Sequence, residues 1–212
     1  MALFKPEAKD NSSSGDWLGY KQMGIHSVTD KTDNYEWADL YLAFEMKIEG
    51  SQYPRTMYLA GSFDKELDGT LKESSFLKRM YHVFDIIGFD GGVNAKGQFE
   101  DADGNIINNI GEVLNDKLSP GPIDDPEMNL LGYIYREAPK QPNQAQIYTK
   151  IHHYIQRNTN EGMAFIKDRI EYLKKNNFIK EASPDQVNGV MGADKVQTGT
   201  PNNVEGSVVN QL

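Results

Sequence analysis

Over Asp39–Glu49 the chain alternates with a strict period of two. Leu40, Leu42, Phe44, Met46 and Ile48 fall on one side; Tyr41, Ala43, Glu45, Lys47 and Glu49 fall on the other. Successive side chains of a strand point to opposite faces, so this segment reads as a strand with one apolar and one wetter face. Gly50-Ser51-Gln52 closes it, and Arg55–Ala60 follows as its hairpin partner. Upstream, Trp17–Ile25 reads as another strand, ahead of a polar turn region from Thr29 to Asn34.

A second alternation runs over Gln146–Ile155. Ile147, Ile151 and Ile155 share one face with Thr149 and His153, while Tyr148, Lys150, His152 and Tyr154 share the other. The second face sets flat rings beside cationic groups, as a platform for stacked bases and phosphates would. The plainer alternative is a half-exposed strand whose tyrosines only cover its outer side. Leu130–Glu137 is a companion strand, joined to it through Pro139-Lys140-Gln141-Pro142-Asn143.

Between these β segments the period changes. Thr70 and Glu73 form a capping-box pattern, and Leu71, Phe76, Leu77, Met80, Phe84 and Ile87 recur at helical spacing until Gly88 ends the run. A second helix is expected over 159–177, with Met163, Ile166, Ile170 and Leu173 on its buried stripe. Residues 1–15 read as a flexible lead, 16–180 as one domain with a long acidic loop at 89–129, and 181–212 as a disordered tail. The element order predicts a mainly β fold with α: an OB-fold-like, five-stranded Greek-key barrel with a helix between strands three and four and a C-terminal helix.

Composition narrows the function classes. Without cysteine there are no disulfides, thiol nucleophiles, zinc-thiolate or iron–sulfur sites. No apolar run approaches the ~20 residues that span a membrane, and the N-terminus lacks a signal-peptide apolar region, so a cytoplasmic protein without membrane partners is expected. The net charge of −9 argues against a simple basic nucleic-acid binder. Yet residues 126–180 hold nine Lys/Arg against five Asp/Glu, so the basic excess sits around the second alternation.

The motifs that carry catalysis or metal chemistry are incomplete. Asp101-Ala102-Asp103-Gly104-Asn105 with Glu112 resembles a calcium loop, but position six is Ile106 instead of Gly, which leaves a tight turn as the better reading. The run Gly88–Gly97 lacks the Gly-Lys-Ser/Thr ending of a phosphate loop. On one continuous strand His152 and His153 point to opposite faces and could not share an ion. No catalytic residue, metal or cofactor is assigned, and a carboxylate-based, metal-dependent nuclease is the least favoured class.

The helix Phe76–Phe89, the strand Leu131–Glu137 and Ile147–Ile151 together resemble phage-encoded single-stranded DNA-binding proteins with an OB-fold core. The resemblance is one of pattern and covers residues 17–180. It implies a non-enzymatic protein that coats single-stranded DNA in viral replication or recombination, in the host cytoplasm, with replication proteins as partners and self-association as a further expectation. The weakly acidic tail, ending Asn210-Gln211-Leu212, lacks the aromatic end through which many of these proteins recruit replication enzymes. Tyr148, Lys150, His152, Tyr154, Tyr133, Tyr135, Arg136, Tyr41, Tyr58 and Arg157 are the expected nucleic-acid contacts. A structural or assembly protein using the same β domain for protein contacts is the competing class.

Overall fold

The structure, a computed structural model, describes residues 17–118, 127–140 and 147–191. The expected lead at 1–15, the tail from 192 and parts of both long connections lie outside these residues. Three antiparallel strands come first: β1 (Gly19–Asp30), β2 (Leu40–Ile48) and β3 (Arg55–Gly61). Helix α1 (Ser75–Ile87) follows, then a small three-stranded sheet of β4 (Gly92–Val93), β5 (Phe99–Glu100) and β6 (Ile106–Ile107), then α2 (Ile110–Lys117). The chain continues through β7 (Leu130–Arg136), β8 (Thr149–Ile151), β9 (Gln156–Arg157), α3 (Asn160–Lys175) and α4 (Pro184–Met191).

The fold is mainly β with a few helices. Its main sheet has the order β3-β2-β1-β7-β8, all pairs antiparallel, with β9 pairing β7 beside β8. The ends of this sheet, β3 and β8, approach each other, so the five strands form a nearly closed barrel. Leu42, Phe44 and Met46 of β2 are fully buried inside it with Met23, Met57, Met80 and Phe84. Each such side chain contributes ~1.5–3 kcal/mol of burial, and the alternation over 40–48 is the direct imprint of that core.

Strand β1 holds the barrel together because it pairs β2 along its C-terminal part and β7 along its N-terminal part. A bulge interrupts it: Ile25 opposes Met46, but Ser27 opposes Glu45, leaving His26 as the extra residue. Parity is thereby reset, so Met23 and Ile25 before the bulge and Val28 after it all face the core. This is why β1 runs on to Asp30, through what reads in sequence as a polar turn.

Several local expectations are corrected. The N-cap of α1 is Ser74, whose hydroxyl accepts from the Leu77 N–H, whereas Thr70 donates its amide and hydroxyl hydrogens to Asp68. A nearby carboxylate captures the Thr70 hydroxyl, so it cannot cap a helix. Gly88 does end α1, at φ 86°. The 89–129 segment, expected as loop, contains the small sheet and α2; Asn109 caps α2 by accepting from the Glu112 N–H. The tail begins with α4, where Ser183 and Gln186 exchange hydrogen bonds as a capping box with Pro184 in the first turn.

Helix α2 closes an open strand edge. Beyond Met23, β1 has no β7 partner, and the Asn115 side chain takes its place. It accepts from the Val28 N–H at 2.7 Å and donates to the Val28 carbonyl at 2.7 Å. Gly111 permits the approach, since a Cβ there would sit 2.9 Å from the Asp30 nitrogen. Replacing Asn115 with Ala is expected to cost about 1–2 kcal/mol in denaturant unfolding and to speed exchange of the Val28 amide; unchanged stability and exchange would show that this edge is satisfied otherwise.

Candidate nucleic-acid interface

Among the described residues, two sets of aromatic side chains stand on the outer side of the barrel, and one of them is open. The open set begins on β2 and β3. Tyr41 pairs across the strands with Ala60, and Tyr58 with Ala43, so the two tyrosines are diagonal neighbours flanked by small residues. Their ring centroids lie 5.7 Å apart, edge to face.

The β1–β2 connection adds two more rings. Asp30 accepts from the amide and hydroxyl of Thr32, and the Thr32 hydroxyl oxygen accepts from the Tyr41 N–H. This relay pins a short 3-10 turn, Thr32–Asn34, against the start of β2. Tyr35 then stacks on Tyr41 at 4.0 Å, and Trp37 stands edge-on to both. Trp37 remains 60% exposed and Tyr58 39%. Burial and a hydrogen bond with Tyr35 push the Tyr41 hydroxyl up to about 12, so it stays protonated at neutral pH. The seam brings β8, which carries Lys150, alongside β3, which carries Tyr58.

The second set lies under α3. Tyr20 faces Tyr133 across the β1–β7 ladder at 4.8 Å, and Tyr133 stacks with Tyr135. Ile166, Ile170 and Leu173 of α3 pack on these rings, with Ile179. Tyr133 is buried; its hydroxyl donates to Glu181 and accepts from Lys174, which also pairs with Glu181 at 2.9 Å. Tyr154 is half-buried, with Arg169 over its ring at 4.7 Å and hydrogen-bonded to its hydroxyl at 2.8 Å. Burial, then Glu137, raises the Tyr135 hydroxyl to about 12.

The expected strand over 146–155 is therefore shorter and bent. Ile151 pairs with Ile134 and Gln156 with Leu131, so five steps along this side match three along β7. The two surplus residues loop out of register and turn His152 and Ile155 inward, where both are buried. His152 and His153 do not point to opposite faces; their rings lie 4.3 Å apart. Among the described residues no three His, Asp or Glu group as metal ligands. The Asp101 carboxylate accepts from the Asp103 and Asn105 amides, which makes that segment a turn between β5 and β6.

The expected contacts thus separate. Tyr41 and Tyr58 come together with Tyr35 and Trp37, which the strand pattern does not single out. The only trace of them in the sequence is two aromatic residues just after the polar turn, among Asn34, Glu36 and Asp39. Tyr133, Tyr135, His152 and Tyr154 also come together, but as the seat of α3. Tyr148 is 54% exposed at the entry to β8, Lys150 pairs with Glu137 at 2.7 Å, Arg136 is half-buried and Arg157 exposed. The chain matches no protein-family model, no curated protein and no solved structure.

Burial gives the second set a pH signature. His152 is held down to about 4, mainly by burial and then by Arg79 and Arg169, and its Nδ1 accepts from the Tyr154 N–H. An unfolded imidazole titrates near ~6.5, so below that pH the unfolded chain binds a proton that the folded chain refuses. Stability is then full above ~6.5 and falls as pH drops toward the folded value. Between about pH 6.5 and 4.5 the wild type should lose about 2–3 kcal/mol more than His152→Gln. Parallel stability curves for the two proteins would contradict this.

Proposed function

We propose that the protein binds single-stranded DNA without sequence preference, using Tyr35, Trp37, Tyr41 and Tyr58 as a stacking surface. One observation supports the reading most: four contiguous aromatic rings, two of them well exposed, on the outer face of the β2–β3 hairpin and its adjoining loop. In an OB-fold this face and the first connecting loop are where single strands lie. The nearly closed antiparallel barrel of five strands is consistent with such a fold, and α1 and α2 lie in the connection from β3 to β7. Every base offers a π face, so stacking tolerates any sequence and adds ~1–3 kcal/mol per base. In this reading Lys150, on β8 across the seam, exchanges its Glu137 partner for a phosphate, and the acidic remainder discourages loose attachment to polyanions. A role beside the phage-type single-strand binders, in replication or recombination in a host cytoplasm, follows from the same reading.

Asp33, Glu36 and Glu45 stand on the same loop and strands. They favour a second reading, in which the rings receive a basic protein segment during assembly.

Tyr58→Ala and Trp37→Ala are each expected to weaken oligonucleotide binding by about 1–3 kcal/mol at fixed salt, with folding intact. Tyr154→Ala should instead destabilise the seat of α3 and leave the affinity of the folded protein near wild type. Affinity should fall with rising salt. Oligonucleotide binding indifferent to Trp37 and Tyr58 would sink the stacking surface. Absence of any oligonucleotide binding, with self-association through the same residues, would favour assembly.

A further inference from the structure

Among the described residues, helix α3 is hydrogen-bonded through two side chains to the rings it covers. Lys174 donates to the Tyr133 hydroxyl at 2.6 Å and pairs with Glu181 at 2.9 Å. Arg169 donates to the Tyr154 hydroxyl at 2.8 Å and lies over the same ring at 4.7 Å. Its other ring contact, Tyr172, belongs to α3 itself, so Tyr154 is what ties Arg169 to the barrel. Tyr154 in turn stands on His152: its N–H donates to His152 Nδ1 at 3.2 Å, and the two rings stack at 5.3 Å. His152 is only 7% exposed, and the His153 ring lies 4.3 Å from it.

We propose that protonation of His152 releases the Arg169 anchor and lets α3 lift from its seat, so that the helix is an acid-sensitive cover over Tyr133, Tyr135 and Tyr154. The bonding pattern supports this first. The Nδ1 lone pair of His152 accepts from a backbone N–H, so a proton added there sets two N–H groups face to face. That bond must break, and Tyr154, which carries both the hydrogen bond and the ring contact of Arg169, must shift. His82 differs: its Nε2 donates to the Ile155 carbonyl at 2.8 Å, a bond that survives a second proton on the ring. The Lys174 anchor contains no imidazole, so the two anchors respond to acid separately.

The groups around His152 offer a positive charge nothing to pair with. From the β8–β9 excursion it faces His153 and Tyr154, from β7 Tyr135, from α1 Arg79 and His82, and from α3 Arg169. None is a carboxylate, and the charges of Arg79 and Arg169 oppose a third cation. Asp85 acts on His82 alone. Two imidazoles in contact also disfavour each other's protonation, so the pair takes up one proton before two. Water is the remaining way to stabilise an imidazolium here, and lifting α3 both admits water and carries Arg169 away.

This coupling does not depend on what the open rings bind. Hydrogen exchange on the full chain at about pH 7 and about pH 5, corrected for intrinsic rates, reads it directly. Amides of Ile166 and Ile170 report on α3, and those of Leu42 and Phe44 on the barrel. Wild-type α3 amides are expected to exchange through an opening of their own, about twentyfold more populated at the lower pH. In His152→Gln the side chain still accepts from the Tyr154 N–H but takes up no proton, and the α3 opening should not change with pH. Tyr154→Phe keeps the ring and loses the hydroxyl, so α3 should open more readily at neutral pH and respond less to acid. Should His152→Gln not fold, the wild-type profile alone decides, because uptake of one proton raises the opening about tenfold per pH unit between about 6 and 5. An α3 opening indifferent to pH, an equal rise in His152→Gln, or α3 amides that exchange only together with the barrel would overturn the proposal.

Discussion

The barrel depends on one strand serving two neighbours. β1 must present apolar side chains inward while it pairs first with β7 and then with β2, and a regular strand of twelve residues would also have to bend sharply to do so. The extra residue at His26 resolves both demands. It bends the strand and resets parity, so Met23, Ile25 and Val28 share one core. β7 begins at Leu130, opposite Met23, so the far end of β1 has no β7 partner, and that open edge is what Asn115 of α2 fills. The loop after β1 is in turn pinned by Asp30 and Thr32, which places Tyr35 and Trp37 beside Tyr41.

The same chemistry of aromatic residues has two outcomes, decided by what lies above them. On β2 and β3, no helix among the described residues covers the outer face, and Trp37 and Tyr58 remain exposed. On β7 and the β8–β9 excursion, α3 lays Ile166, Ile170 and Leu173 on the rings, and their hydroxyls are taken up by Lys174, Glu181 and Arg169. Exposed tyrosine and covered tyrosine cannot be told apart by alternation alone. The deciding contact lies with a helix that follows in sequence.

Legibility in the sequence follows from how local the cause is. Strand β2 was readable because its period is imposed by water on one side and core on the other. The stripe of α3 and the glycine ending α1 were readable for the same reason. The length of the strand through Lys150 was not: its alternation continues past Ile151 by coincidence of composition, while pairing with β7 forces a two-residue excursion. The helices α2 and α4 were passed over although Asn109 with Glu112, and Ser183 with Gln186, are ordinary capping patterns; their surroundings rich in Gly and Asn masked them. Of the candidate contacts, Tyr41 and Tyr58 were legible as outward residues of a hairpin. Tyr35 and Trp37 were not, because their position is set by a side-chain relay from Asp30 through Thr32, which no periodicity records.

The partition between open and covered rings is the central claim, and photochemical cross-linking tests it most directly. A single-stranded oligonucleotide is irradiated in complex with the full chain, and the cross-linked residues are mapped by mass spectrometry. Cross-links are expected at Trp37, Tyr58 and their neighbours Tyr35 and Tyr41. Cross-links confined to Tyr133, Tyr135 and Tyr154, with none on the β2–β3 face, would contradict it and would mean that α3 leaves its seat when the strand binds.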